Sequence, residues 1–169
     1  MNHQLDTDLL VGEAVKGLAG RALTAEDPLT RKHAIYLLSM TGNPACAELF
    51  IRALRDPEKA VRAQATFALA GIGEPVSVRL IELLIDPDWK VRYRAAEALG
   101  MMEDKRAVGP LVGLLSDEKD HVRYMAVKAL GEIGADEAME RIASLSGDEN
   151  PYVRRVAEFV VLQLKPSNQ

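Results

Sequence analysis

The chain has 169 residues, 21 Lys and Arg against 25 Asp and Glu, 48% apolar residues, 5% aromatics and one cysteine. This length and apolar share suit one core of ordinary size and exclude a disordered or collagen-like chain. The formal charge of −4 brings no net attraction toward a phosphate backbone or an anionic membrane, so neither a nucleic acid nor a membrane is expected as partner.

Cys46 alone can build neither an internal disulfide nor a Cys-rich zinc site, which fits a reducing compartment. The start of the chain is polar, with Asp6 and Asp8 and no Lys or Arg before them, unlike a secretory signal. Its uninterrupted apolar runs fall far short of the ~20 residues that cross a bilayer. A cytoplasmic location is therefore expected.

In chain order, residues 6 to 23 come first. Leu9, Leu10, Ala14, Val15, Leu18, Ala19 and Leu23 predict one amphipathic helix, and residues 1–26 are expected to cap the fold at its amino end. Beyond it the sequence repeats itself. Thr30-Arg31 is followed by Val61-Arg62, Val91-Arg92, Val122-Arg123 and Val153-Arg154, with arginine spacings of 31, 30, 31 and 31. Three residues after each arginine stands an alanine: Ala34, Ala65, Ala95, Ala126 and Ala157. A fixed period of this length signals a repeat architecture. The expected units are 27–55, 56–85, 86–116 and 117–147, with 148–169 a closing half-repeat, all in a single domain.

Each unit reads as a helical hairpin. Val61, Ala65, Ala68, Leu69 and Ile72 make one apolar stripe at helical spacing. Asp27-Pro28, Asp56-Pro57 and Asp86-Pro87 supply a carboxylate at or near the N-cap and a proline whose missing N–H costs nothing there. Glycines 42, 71, 73, 100, 131 and 134 are expected to end the first helices through left-handed C-caps. A shorter second helix follows, as in Ala107, Val108, Leu111, Val112 and Leu115. A hairpin of about 31 residues cannot bury its apolar face alone, so neighbours stack. The recurrent alanine is expected where adjacent first helices approach most closely. The chain is expected to end in a polar tail from about Lys165.

The pattern Asp-Pro, Val-Arg, Ala, Ala-Leu-Gly, Ile-Gly resembles the HEAT-like repeat of the phycobilisome lyase type. Val122, Arg123, Ala126, Ala129, Leu130, Gly131, Ile133 and Gly134 carry the match, with close versions at 61–73 and 91–100. The resemblance implies an all-α, right-handed α-α superhelix (a HEAT-like solenoid) of about five hairpins, with first helices convex and second helices concave. It also implies that the turn aspartates and first-helix arginines form a ladder between neighbouring repeats, where planar Arg serves better than Lys.

No catalytic constellation, cofactor or metal is expected. His3, His33 and His121 stand at unlike repeat positions, which does not suggest a metal cluster. The iron hydroxylase built on HEAT repeats carries His-Glu dipeptides, and this sequence has none. HEAT-like DNA glycosylases need a basic, aromatic groove, which an acidic chain with one tryptophan does not offer. Cys46, between Ala45 and Ala47, reads as a small core residue.

The reading is a non-catalytic protein-binding scaffold or complex subunit that binds a partner protein and is monomeric on its own. Its alternative is a component of a phycobilin-type chromophore lyase or isomerase. The expected interface is the concave face, with Leu18, Arg21, Glu48, Leu49, Arg52, Val78, Arg79, Glu82, Pro110, Glu140 and Arg141. These positions vary while the core repeats, and their mixed charge with scattered aliphatics suits a protein better than phosphate. Trp89, Tyr93, Tyr124 and Tyr152 sit on or beside first helices and offer either a second patch or covers for the grooves between repeats.

Overall fold

The computed structural model describes residues 2–164, with side chains from residue 12 onward. Leu9, Leu10, His3 and the expected tail from Lys165 lie outside the described side chains. The described residues are helical, without a strand, and fall into two compact units, residues 1–72 and 73–169.

In the first unit, α1 (Asn2–Thr24) packs on α2 (Pro28–Ser39) and α3 (Ala47–Ala53), and both α2 and α3 pack on α4 (Lys59–Ile72). The second unit contains α5 (Ser77–Glu82), α6 (Trp89–Met101), α7 (Val108–Leu114), α8 (Asp120–Ile133), α9 (Met139–Ala143) and α10 (Pro151–Leu164). There the long helices α6, α8 and α10 lie side by side in sequence order, while α5, α7 and α9 pack against α6, α8 and α10 respectively. Long first helices alternate with short second helices, as the 31-residue pattern requires. The core falls where the periodicity placed it. Ala34, Ala65, Ala95, Ala126 and Ala157 are all buried, as are Leu38, Leu69, Leu99 and Leu130.

The ladder arginines Arg31, Arg92 and Arg123 each use nearly their whole donor set. In Arg92, Nε and Nη2 donate to Oδ2 and Oδ1 of Asp117 at 2.7 and 2.9 Å, while Nη1 donates to the Asp86 and Pro87 carbonyls at 2.8 and 3.2 Å. Arg31 repeats this with Asp56, at 2.7 and 2.8 Å, and with the carbonyls of Ala25 and Glu26. Arg123 repeats it with Asp148, at 2.8 and 2.9 Å, and with the Asp117 carbonyl. One guanidinium thus closes the turn before its own helix and grips the turn of the next repeat. The pairing pushes all three guanidinium pKa values up, the hydrogen bond to the aspartate being the largest cause.

Two expectations about helix ends need correction. Asp27 is an N-cap, accepting from the Leu29 and Thr30 N–H groups, but Asp56 and Asp86 stand further upstream. Their carboxylates accept the N–H two residues on, from Glu58 and Asp88, and so shape the turn; Asp88 caps α6. Asp56, outside the helix, also receives the Arg31 guanidinium.

The second correction concerns glycine. Gly42, Gly73 and Gly134 do take positive φ, at 61°, 76° and 69°. Gly71, Gly100 and Gly131 instead lie inside helices. A Cβ on Gly100 would stand 2.9 Å from Cα and Cβ of Ala129, and one on Gly131 would stand 2.8 Å from Val160. These two glycines therefore mark tight approach between neighbouring first helices, a task expected of the alanine alone. Just past α6 the left-handed residue is Glu103, at φ 51°.

Candidate partner-binding surface

The expected interface residues all fall on α1 or on second helices, and all keep solvent access. In the first unit, α1 carries Leu18, half-buried, and Arg21, exposed; α3 carries exposed Glu48 and Arg52 with half-buried Leu49. Glu48 and Arg52 are four residues apart and therefore share a helix face. In the second unit, Val78, Arg79 and Glu82 are exposed on α5, Pro110 on α7, and Glu140 and Arg141 on α9. The structure brings Arg79 and Glu82 into an ion pair across one helical turn, both about half exposed. Adjacent residues on a helix, such as Glu140 and Arg141, do not face each other.

These side chains keep solvent access because the opposite face of each short helix is consumed by the core. Leu80 on α5, Leu111 on α7 and Ile142 on α9 are fully buried. With a helix of two turns or less, one apolar stripe toward the first helices leaves the other positions to solvent. The surface so formed is mixed in charge with isolated aliphatic contacts, chief among them Val78 at 62% exposure.

A neighbouring ionic cluster went unread in the sequence. Arg106 donates to both oxygens of Asp104 at 2.9 and 3.0 Å and to Glu74 at 3.2 Å. The Arg106 hydrogen bond, more than any other cause, holds the Asp104 carboxyl down to about 2. The short spacing Asp-x-Arg was its available signal. Also unread were exposed apolar side chains of the first unit: Leu29, Tyr36 and Leu37 on α2, Met40 just past its end, and Phe67 on α4. The periods of α2 and α4 predict which residues are buried, and those on the two helices belong to the remainder of the helix surface. Cys46 is buried, as expected of a small core residue.

Among the described residues no three His, Cys, Asp or Glu side chains converge as a metal site, and no helix is long and apolar enough to cross a membrane. Repeated helical hairpins, an arginine–aspartate ladder and a varied second-helix surface define the class: an α-solenoid repeat protein. The HEAT repeats family matches residues 15–82 and 77–161, and this chain belongs to that family.

No curated protein matches the chain. Among solved structures, it is similar to the complex of CpcE and CpcF of phycocyanin lyase from Nostoc sp. PCC7120, with a TM-score of 0.66 and 26% identity over 89% of this chain. It spans 65% of that chain's length. It is also similar in fold to human deoxyhypusine hydroxylase, with a TM-score of 0.54, 19% identity and coverage of 90% of this chain and 74% of that one. A designed armadillo repeat protein in complex with the peptide (KR)4 gives a TM-score of 0.53 at 18% identity, covering 94% of this chain and 84% of that chain. The fold is thus shared with enzymes and with binding proteins, and residue chemistry has to decide between them.

Proposed function

We propose that this chain is a non-catalytic interaction scaffold or complex subunit, folded as one domain, that binds a partner protein through its second helices. The residues assigned to contact are Leu18, Arg21, Glu48, Leu49, Arg52, Val78, Arg79, Glu82, Pro110, Glu140 and Arg141. The observation that carries this reading is the contrast within each short helix. Core positions are fixed from repeat to repeat, whereas the solvent positions differ in charge and size and stay accessible. A surface of separate, dissimilar contacts on a rigid scaffold suits recognition of a protein, with specificity set by charge placement. A cytoplasmic location and a monomeric free state complete the proposal.

The test exchanges one exposed pair. Arg79→Glu with Glu82→Arg keeps opposite charges across the turn and reverses their order. An exposed pair of this kind contributes ~0 to 1 kcal/mol, so the melting temperature is expected to stay nearly unchanged while affinity capture of the native partner weakens. Equal partner recovery by parent and variant removes this surface as the site.

The second reading, a subunit of a chromophore lyase or isomerase, is favoured by the similarity to the CpcE–CpcF complex. Titration with an open-chain tetrapyrrole, followed by absorbance, separates the two readings. A saturable spectral shift supports the lyase reading, and an unchanged spectrum removes it.

A further inference from the structure

On the first-helix side of the second unit lies a groove of about 500 Å³. Tyr93 of α6, Tyr124 of α8 and Tyr152 of α10 line it together with Asp120, His121 and Asn150. Tyr152 is 71% exposed, and Tyr93 and Tyr124 are half-buried. Trp89 extends the aromatic cluster, its ring centroid 5.4 Å from that of His121.

The chemistry of this lining favours a cation. Aromatic faces carry negative potential and attract ammonium and guanidinium groups. Tyr93 already holds one such group, with Cζ of Arg94 5.1 Å from its ring centroid. The carboxylate of the lining belongs to Asp120, and neither Lys nor Arg is among the described residues that line the groove.

Asp120 is fixed in place by its neighbours. Its Oδ1 accepts the His121 backbone N–H at 2.7 Å and lies 2.7 Å from Nδ1 of the same ring, while Oδ2 accepts from the Asn150 side chain. A carboxylate offers about four acceptor positions, so Oδ2 retains one for an incoming donor.

We propose that this groove binds the cationic side chain of a basic peptide, placing its charged end at Asp120 Oδ2 and its stem against Tyr124 and Tyr152. An anionic ligand would meet Asp120 unfavourably, and a purely apolar one would leave that oxygen without its donor. This site lies on the first helices and is independent of the second-helix surface proposed above.

The chain contains one tryptophan, and its place beside His121 makes its fluorescence a local reporter. The probes are a synthetic peptide of alternating arginine and glycine and a twin carrying citrulline, which keeps the shape and removes the charge. The arginine peptide is expected to give a saturable change, and the citrulline twin to bind roughly tenfold more weakly or less well still.

Tyr152→Ala, at an exposed position, and Asp120→Asn are each expected to weaken binding about fivefold. Glu137→Gln removes an exposed carboxylate outside the lining, and is expected to change affinity less than about twofold at physiological salt. Parallel melting curves verify that each variant is folded. Equal binding of the citrulline twin, an equal loss on Glu137→Gln, or no saturation at ~1 mM peptide would overturn the proposal.

Discussion

Replacing Gly100 with alanine tests how tightly consecutive first helices pack. Two effects oppose each other. Removing a glycine from a helix interior gains ~0.5 to 1 kcal/mol. Against this, the new Cβ would lie 2.9 Å from Cα and Cβ of Ala129, where ordinary contact begins near 3.4 Å. It would also lie 2.5 Å from Oε2 of Glu132, although that side-chain end can swing away. The Ala129 backbone cannot, because α8 is held on its other side by α10. Overpacking of this kind costs ~1 to 3 kcal/mol, so Gly100→Ala is expected to be net destabilising.

Gly113→Ala supplies the control, since a Cβ there meets nothing within 4 Å. It receives the helix-propensity gain without the clash. The difference between the two variants therefore isolates the contact, at ~1 to 3 kcal/mol. In a chain of this size that corresponds to roughly 2 to 12 °C between their melting temperatures. Thermal and urea unfolding, followed by circular dichroism and by Trp89 fluorescence, measure it. If Gly100→Ala proves as stable as Gly113→Ala, α6 and α8 do not approach as described.

Ala95→Leu, at a position with no solvent exposure, is expected to cost ~1 to 3 kcal/mol by overpacking, and an unchanged melting curve would contradict its interior placement. Arg92→Lys keeps the charge but loses the fork that serves Asp117 and two carbonyls together, and a loss of ~1 to 3 kcal/mol is expected in urea unfolding. Arg154→Lys should cost less, because Arg154 donates to the carbonyls of Asp148 and Glu149 and no later repeat turn follows among the described residues; equal losses would refute the ladder as the cause.

The pH response has a definite sign. The Arg123 hydrogen bond, as the largest cause, holds the Asp148 carboxyl below its ordinary 3.8. Its stabilisation is therefore complete above that value and fades as the pH falls through the lowered folded-state value. Asp148→Asn should lower stability at neutral pH and make the acid limb of the stability profile shallower. An acid limb as steep as the parent's would remove Asp148 as a contributor.

The features legible in the sequence are those that the repeat forces to recur. Ala95 and Ala126 occupy the same place because neighbouring first helices impose the same space on both. Arg92 and Arg123 recur for the same reason with respect to the turn that follows. Glycine was misread because one residue type serves two needs. Gly134 supplies a left-handed conformation and Gly131 supplies room, and only the position of Val160 tells them apart. Glu103 was not legible at all, since glycine or asparagine is the ordinary residue at positive φ. Tyr93 and Tyr124 each follow a ladder arginine, so their alignment was visible as a column. Asp120, His121 and Asn150 join them only through the fold, because two begin α8 and the third belongs to the turn before α10.

The ladder also explains how a varied surface can coexist with a fixed repeat. A guanidinium that binds two carbonyls and a carboxylate sets the turn geometry through the backbone, whatever side chains the short helix presents to solvent. Lysine, with a single nitrogen on a flexible stem, cannot span these acceptors together. Register is thus held by buried polar contacts on the first-helix side, such as Arg92 with Asp117 and Arg123 with Asp148. Substitutions at Val78, Arg79, Glu82, Pro110, Glu140 or Arg141 should accordingly change binding without changing the spacing of the repeats. A substitution at Arg92 or Asp117 should do the reverse, disturbing the packing of α6 on α8 and the second-helix surface together.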